Sequence, residues 1–159
     1  MIYETLEEFS QAVPPLRAIA GLDFGTKTIG VAVSDGLAQV ATPLTTIRRK
    51  KFSADGAALQ QILAERQIAG LVLGLPRNMD GSEGPRCQST RAFARNLTQL
   101  IDLPISFWDE RLSTVMAEKA LLEADTSRKR RAEVIDHVAA GVILQGALDR
   151  LGHLRAGRG

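Results

Sequence analysis

Four apolar residues at the start of the chain recur at intervals of three or four: Ile2, Leu6, Phe9 and Val13. This spacing predicts a short amphipathic helix, which the pair Pro14–Pro15 must end because proline cannot continue a helical backbone ladder. We interpret residues 1–16 as an N-terminal extension, 17–151 as the main domain and 152–159 as a basic tail. So short a helix is unstable alone. We expect it to dock on its own domain rather than on another subunit.

From Arg17 onward the pattern changes to short apolar runs that are typical of β-strands. Residues 18–24 (AIAGLDF) and 29–35 (IGVAVSD) are joined by the turn-rich segment 25–28, and a third run follows over 39–47. Adjacent strands joined by tight turns are antiparallel. The sequence therefore predicts a three-stranded antiparallel meander.

The second half of the chain alternates between helical and strand patterns. Apolar residues at 58, 59, 62 and 63 indicate a helix, and the continuous apolar run 70–75 is typical of a strand covered on both faces. A loop over 76–84 leads to a helix that Pro85 opens, with Phe93, Leu97 and Leu100 as its buried row. The predicted order is β β β α β α β α α.

The last three elements of this order follow from apolar runs near the C-terminus. They are a strand over 105–108, a helix that Ser113 or Thr114 caps and that runs through Leu122, and a long helix over 132–151.

The composition describes one ordinary soluble domain. The 159 residues are 45% apolar and carry 20 Lys and Arg against 18 Asp and Glu, a net charge of +2. No apolar run is long enough to span a membrane and the N-terminus is acidic, so we expect a cytoplasmic protein without membrane contact. The lone Cys87 can form neither an internal disulfide nor a cysteine-rich zinc site. Any metal would be held by oxygen.

Basic residues concentrate in two clusters, which favours a polyanionic partner such as nucleic acid. The clusters are Arg48, Arg49, Lys50 and Lys51, and Arg128, Lys129, Arg130 and Arg131. Either cluster alone is equally compatible with a solvated turn. Aromatic residues form only 4% of the chain, which argues against broad base-stacking platforms.

Carboxylates interrupt apolar segments at three places. Asp23 ends an apolar strand before Gly25, although an aspartate there can also simply cap the turn. Asp109 and Glu110 follow another strand, and because neighbouring strand residues face opposite ways, only one of them shares a face with Asp23. Asp136 lies in a helix with apolar residues around it, where it needs a cation, hydrogen-bond donors or a salt bridge to arginine.

Three converging carboxylates would form an oxygen-only site suited to Mg²⁺ or Mn²⁺. Two such ions can activate water and stabilise the leaving oxygen of a phosphodiester. Hydrolysis of a nucleic-acid backbone is therefore the natural reaction, and the basic clusters would neutralise phosphates on either side of the cut.

Four segments of the chain resemble the YqgF (RuvX) family in order and spacing. They are GLDFGTKTIGVAVSD, LVLGLPRNMDGSEG, FWDERLST and AEVIDHVAAGVILQGALD. The resemblance implies a ribonuclease H-like fold with a five-stranded mixed sheet whose first three strands are antiparallel. It also implies metal-binding catalytic acids at Asp23, Glu110 and Asp136. Asp109 stays the alternative to Glu110, with positioning of Arg111 as its other role. Gly74 stands where related resolvases carry an acid after strand four.

The family is described as a Holliday junction resolvase by similarity to RuvC, and as a nuclease that matures the 5′ end of 16S rRNA. The resemblance thus implies precursor rRNA, branched DNA or both as partners. Ribosomal particles are a further expected partner, and the sequence leaves open whether the protein is a monomer or a homodimer. Alternative interpretations are a non-catalytic nucleic-acid-binding module, which Gly74 favours, and a phosphotransferase, because DFGTKT is similar to the first phosphate loop of the actin and hexokinase superfamily.

Further nucleic-acid contacts are expected near these motifs. Lys27, between Thr26 and Thr28, is placed to meet a phosphate, and Arg77, Asn78 and Arg111 to contact substrate. His137 follows Asp136, but adjacent helical residues point about 100° apart. We therefore favour a structural role for His137 over proton transfer.

Overall fold

The computed structural model describes residues 1–113 and 128–157. For residues 128–136 it describes the backbone alone. The elements in chain order are α1 (Leu6–Ala12), β1 (Ile19–Phe24), β2 (Thr28–Ser34), β3 (Ala41–Arg48), α2 (Phe52–Glu65), β4 (Gly70–Leu75), α3 (Pro85–Thr98), β5 (Ile105–Asp109), a 3-10 helix (Glu110–Leu112) and α4 (Arg128–Ala156).

The five strands form one mixed sheet in the order β3-β2-β1-β4-β5. β1 pairs antiparallel with β2, and β2 with β3, because short turns connect them. β4 pairs parallel with β1 and β5, because helices connect these strands. The predicted five-stranded mixed sheet with an antiparallel first half is confirmed.

Alternate residues of the central strands supply two separate cores. Leu22 of β1 and Leu73 of β4 belong to the core on the side of α2 and α3. Ile19 and Val72 belong to the core under α4. On this second side α4 lies very close to the sheet, since a Cβ built at Gly21 would be 2.7 Å from the Leu144 Cβ.

The N-terminal segment packs on the body of its own chain. Thr5 caps α1 by accepting a hydrogen bond from the Glu8 backbone N–H, and Phe9 is fully buried. The prediction that Ile2 lies on the helix face is wrong, because Ile2 forms a parallel bridge with Ile105 of β5. This bridge satisfies backbone hydrogen-bonding groups at the edge of β5 that would stay unpaired if Ile2 belonged to a longer α1.

Several element ends also differ from the sequence predictions. α4 extends from residue 128 to 156 rather than from 132 to 151, so most of the predicted tail is helical. α3 ends at Thr98, and Leu100 is 39% exposed instead of buried. The predicted helix through Leu122 lies outside the described residues. In the described part of the chain, no helix has both the length and the apolar character needed to cross a membrane.

Candidate active site

Asp23 lies near the end of β1, and its carboxyl group is on the α4 side of the sheet. This orientation follows from strand alternation, because Gly21, two residues earlier, faces Leu144 of α4. Asp23 is only 3% exposed. The strand ends in a tight turn where the Gly25 N–H donates to the Thr28 carbonyl at 2.8 Å.

Glu110 approaches the same region from the other side. It is the first residue of the 3-10 helix after β5 and is 2% exposed. A Cβ built at Gly74 would lie 3.3 Å from the Glu110 carboxyl carbon. Leu22 and Leu73 are the last paired residues of β1 and β4, so Asp23 and Gly74 come directly after them on adjacent strands. Both carboxylates therefore lie on one face at the carboxyl ends of β1 and β4.

Gly74 leaves no room for a side chain at this point of the sheet. Its Cβ would meet Ile143 Cδ1 at 2.4 Å as well as the Glu110 carboxyl group. The contact with Ile143 is short enough that the end of this side chain would have to move. The place of the missing acid after strand four is therefore filled by Ile143 and by the carboxyl group of Glu110.

Asp109 is engaged in a separate ion pair with Arg111. Arg111 Nη2 and Nε donate to Asp109 Oδ2 and Oδ1 at 2.6 and 3.0 Å, and the Arg111 backbone N–H donates to Oδ1 at 3.0 Å. The hydrogen-bonded guanidinium lowers the pKa of Asp109 from its usual value. Asp109 pairs with Leu75, whose side chain lies on the opposite side of the sheet from the position that a Cβ at Gly74 would take. This pair stabilises the turn that presents Glu110.

The third predicted acid, Asp136, belongs to α4, and its side chain is outside the described part of the structure. The next residue, His137, forms a 2.9 Å hydrogen bond between its Nδ1 and Thr46 Oγ1 of β3. Thr46 pairs with Gly30, and Gly30 pairs with Asp23. The backbone at Asp136 is thus level with the row of the sheet that contains Asp23.

The side chains of residues 128–136 lie outside the described part of the structure. Among the described side chains, no group of three or more His, Cys, Asp or Glu residues is placed to hold a metal ion. The side chains of the second predicted basic cluster, residues 128–131, also lie outside the described part of the structure.

The first basic cluster divides into residues with different surroundings. Arg49 Nη1 donates to the carbonyls of Gly25 and Thr26 at 2.8 and 3.0 Å, and the guanidinium lies 4.3 Å from the Phe24 ring centroid. Arg49 therefore stabilises the β1–β2 turn. Lys50 and Lys51 are exposed where the chain enters α2.

The loop over 76–84 is held by its own polar residues. Asn78 Nδ2 donates to Ser82 Oγ at 2.9 Å, and Arg77 lies 3.3 Å from the Glu83 carboxylate. Arg111 reaches across and donates to the Met79 carbonyl at 3.3 Å. The three residues predicted as substrate contacts, Arg77, Asn78 and Arg111, thus also order this loop beside the site.

Sequence reasoning missed a network that ties this loop to the N-terminus. Arg91 of α3 donates to Glu83 at 2.6 Å and to Glu4 at 2.9 Å. The Arg91 guanidinium lowers the pKa of Glu83. The sequence pattern does not indicate the pair of Arg91 and Glu4, because the two residues are 87 positions apart.

Sequence reasoning also missed a groove of about 360 Å³ at the β3 edge of the site. It lies on the α4 side of the sheet, next to the Thr46–His137 hydrogen bond. Its polar lining comprises Lys27, Thr28, Thr45, Thr46, Arg48 and His137. Lys27 and Arg48 were predicted as nucleic-acid contacts, but the sequence did not indicate that they line one groove with Thr46 and His137.

The strand order and direction, with helices on both faces, one acid near the end of β1 and another directly after β5, define a ribonuclease H-like protein. The chain belongs to the RuvX family, described as Holliday junction resolvase, which matches residues 17–150, and it is a nuclease of that family.

Known relatives match over almost the full chain. A Ruegeria pomeroyi protein named "Putative pre-16S rRNA nuclease" is 74% identical over 154 residues, covering 97% of this chain and 100% of its own. A Rhodobacter capsulatus protein of the same name is 70% identical over 159 residues, covering 100% of both chains. Thermus thermophilus RuvC, solved with a Holliday junction substrate, has a TM-score of 0.48 at 12% identity and covers 85% of this chain and 96% of its own.

Proposed function

We propose that this nuclease hydrolyses phosphodiester bonds of precursor 16S rRNA to mature its 5′ end, with Asp23, Glu110 and Asp136 as the reacting centre. The names of relatives that are 70% and 74% identical over 100% and 97% of the chain support the substrate. The observation that carries the chemistry is the placement of two buried carboxylates, Asp23 and Glu110, on one face of the sheet.

The donor set fits a hard divalent cation, Mg²⁺ or Mn²⁺. Such cations prefer carboxylate oxygens, and buried carboxylates that share one face need positive charge or hydrogen-bond donors nearby. Asp23 and Glu110 would hold the ion, together with Asp136. When bound, such an ion supplies activation of the attacking water and stabilisation of the leaving oxygen.

The other residues of the site position these carboxylates and the substrate. The Asp109–Arg111 pair fixes the 3-10 turn, so that Glu110 is held above Gly74. Gly25 leaves the backbone beside Asp23 without a side chain, so that a phosphate can approach. Lys27 is exposed on the adjoining turn and supplies positive charge to the bound backbone.

The test is a cleavage assay on precursor 16S rRNA with Mg²⁺ or Mn²⁺, followed by mapping of the cut ends. We expect wild-type protein to release the mature 5′ end and D23N, E110Q and D136N each to lose cleavage while remaining folded. Asp102 is an exposed carboxylate, and D102N is the matched control that keeps activity. A folded D23N variant that cleaves at the wild-type rate would overturn the assignment.

Holliday junction DNA is a second candidate substrate, favoured by the description of the matched family. The same protein preparations are therefore offered a four-way DNA junction under identical metal conditions. Symmetric cuts in the junction with intact precursor rRNA would replace the rRNA proposal with resolution. Binding of both substrates without metal-dependent cleavage would identify a non-catalytic module.

A further inference from the structure

We propose that the groove at the β3 edge binds one backbone phosphate of the substrate strand, and that the Thr46–His137 pair is the positioning wall of this subsite. The inference rests on the proposed nuclease function, because it places the groove beside the reacting carboxylates. It assigns a binding role to side chains that lie outside the acidic centre.

The lining of the groove has the chemistry that a phosphodiester requires. Lys27 and Arg48 bring positive charge, and Thr28 and Thr46 bring hydroxyl groups that can donate hydrogen bonds. None of the described residues that line it is acidic. Its volume of about 360 Å³ is at the lower end of the range for small ligand sites.

The sheet register places the groove at a short distance from Asp23. Asp23, Gly30 and Thr46 form one row across β1, β2 and β3, so Asp23 and Thr46 are two strand spacings apart, roughly 10 Å. Because the middle residue is glycine, this row has no β2 side chain between them. A strand whose reacting phosphate lies at Asp23 can therefore place a nearby phosphate of the same strand in the groove.

Both walls of the groove are fixed before any ligand binds. The turn that carries Lys27 is held by Arg49, whose side chain donates to the carbonyls of Gly25 and Thr26 and whose N–H donates to the Lys27 carbonyl at 2.9 Å. The opposite wall is fixed by the 2.9 Å hydrogen bond between Thr46 and His137, which joins β3 to α4. Such preorganisation reduces the entropy lost on binding.

The test measures binding of a fluorescein-labelled 20-nucleotide RNA, and of DNA of the same sequence, in metal-free buffer. K27M should weaken binding and reduce the slope of log K against log[salt] by about 0.7, the value for one phosphate contact on a single strand. R66M removes the same charge directly after α2, on the opposite face of the sheet, and should leave the slope unchanged.

Thr46 is tested by a pair of variants that separate the hydroxyl from the shape. T46V removes the hydrogen bond to His137 and should raise Kd about 5-fold, within the range expected for one lost hydrogen bond, with an unchanged salt slope. T46S restores the hydroxyl and should restore the wild-type Kd. T42V lies at the far end of the same strand and is exposed, so it is the matched control.

A phosphate occupant predicts equal losses on RNA and DNA. A loss confined to RNA would overturn the phosphate assignment, because it would identify a ribose hydroxyl as the contact. If K27M and T46V bind like their controls while D23N abolishes cleavage, the groove proposal fails and the nuclease function stands. If wild-type protein cleaves neither precursor 16S rRNA nor the four-way DNA junction, but K27M and T46V weaken binding as expected, the groove is supported and the proposed function fails.

Discussion

Asp23 and Glu110 bring two negative charges to one face of the sheet, both almost completely buried. Mutual repulsion between clustered carboxylates opposes folding in the absence of metal. We expect metal-free D23N to melt at the same temperature as wild type or higher, and to lose most of the stabilisation that Mn²⁺ gives wild-type protein. The measurement is thermal unfolding with and without Mn²⁺, and D102N should behave like wild type.

A structural salt bridge at Asp23 would give the opposite result. Breaking a buried pair commonly costs about 3–5 kcal/mol, so D23N would then melt at a lower temperature even without metal. A strongly destabilised variant whose folded fraction still cleaves at the normal rate would exclude a catalytic role for Asp23.

Gly74 is the tightest backbone position of the site. In G74A the new methyl group would meet Ile143 Cδ1 at 2.4 Å, and we expect a loss of about 1–3 kcal/mol in the free energy of unfolding. Urea denaturation measures this loss, and G36A is the control because a Cβ there has no atom within 4 Å. The double variant G74A/I143V should recover part of the loss. A G74A protein as stable as wild type would contradict the argument.

The Asp109–Arg111 pair predicts a specific dependence of stability on acid. In the folded protein the pKa of Asp109 lies below its ordinary value of 3.8. The contribution of Asp109 to the free energy of unfolding is therefore present above pH 3.8, and it is lost as the pH falls through the folded pKa. D109N keeps a side chain that can cap the turn but lacks the charge. Its melting temperature should therefore fall less than that of wild type between pH values of about 5 and 2.5. Equal decreases would contradict the prediction.

At the scale of elements, the N-terminal segment is part of the folded body of the chain. Phe9 and Val13 lie over Gly70, where a Cβ would be 2.7 Å from the Phe9 ring. Deletion of residues 1–16 should lower the melting temperature without changing the number of subunits, and F9A alone should cost about 3–5 kcal/mol. Light scattering and thermal unfolding test both statements, with exposed Gln11 replaced by Ala as the control. A change in subunit number with a folded domain would identify the segment as a subunit interface.

The strands were predictable from the sequence because the apolar runs of β1, β2 and β4 are buried on both faces. The role of Ile2 was not, because its partner Ile105 is remote in sequence and leaves no local periodicity. The choice between Asp109 and Glu110 was also not predictable from strand alternation. Glu110 lies in a 3-10 helix, so the orientation of its side chain depends on a turn that the apolar pattern does not reveal.

The basic residues show the same difference between pattern and role. Their clustering favours a polyanion, but Arg49 has the geometry of a turn-stabilising residue because its partners are carbonyls of a separate segment. Hydrogen bonds between distant segments are not visible in a run of like charges.

At the scale of the whole molecule, binding of nucleic acid should weaken as salt rises, because counterion release contributes to affinity. We expect neutralisation of Arg48, Lys50 and Lys51 together with residues 128–131 to lower both the affinity and the salt slope. Arg49 is left intact so that the β1–β2 turn keeps its support. Fluorescence anisotropy over a series of salt concentrations is the measurement. Unchanged affinity and slope would show that the proposed binding face is wrong.

The pairing of the first residues with β5 also sets an order of events during folding. The Tyr3 N–H donates to the Ile105 carbonyl at 2.8 Å, and Ser106 Oγ donates to the Tyr3 carbonyl across 103 positions of sequence. Contacts between such distant segments form slowly, since a long loop must close first. During synthesis the N-terminus leaves the ribosome well before β5 exists. Residues 1–3 therefore cannot pair until β5 has been made, and the edge of the sheet is covered only when both segments are in place.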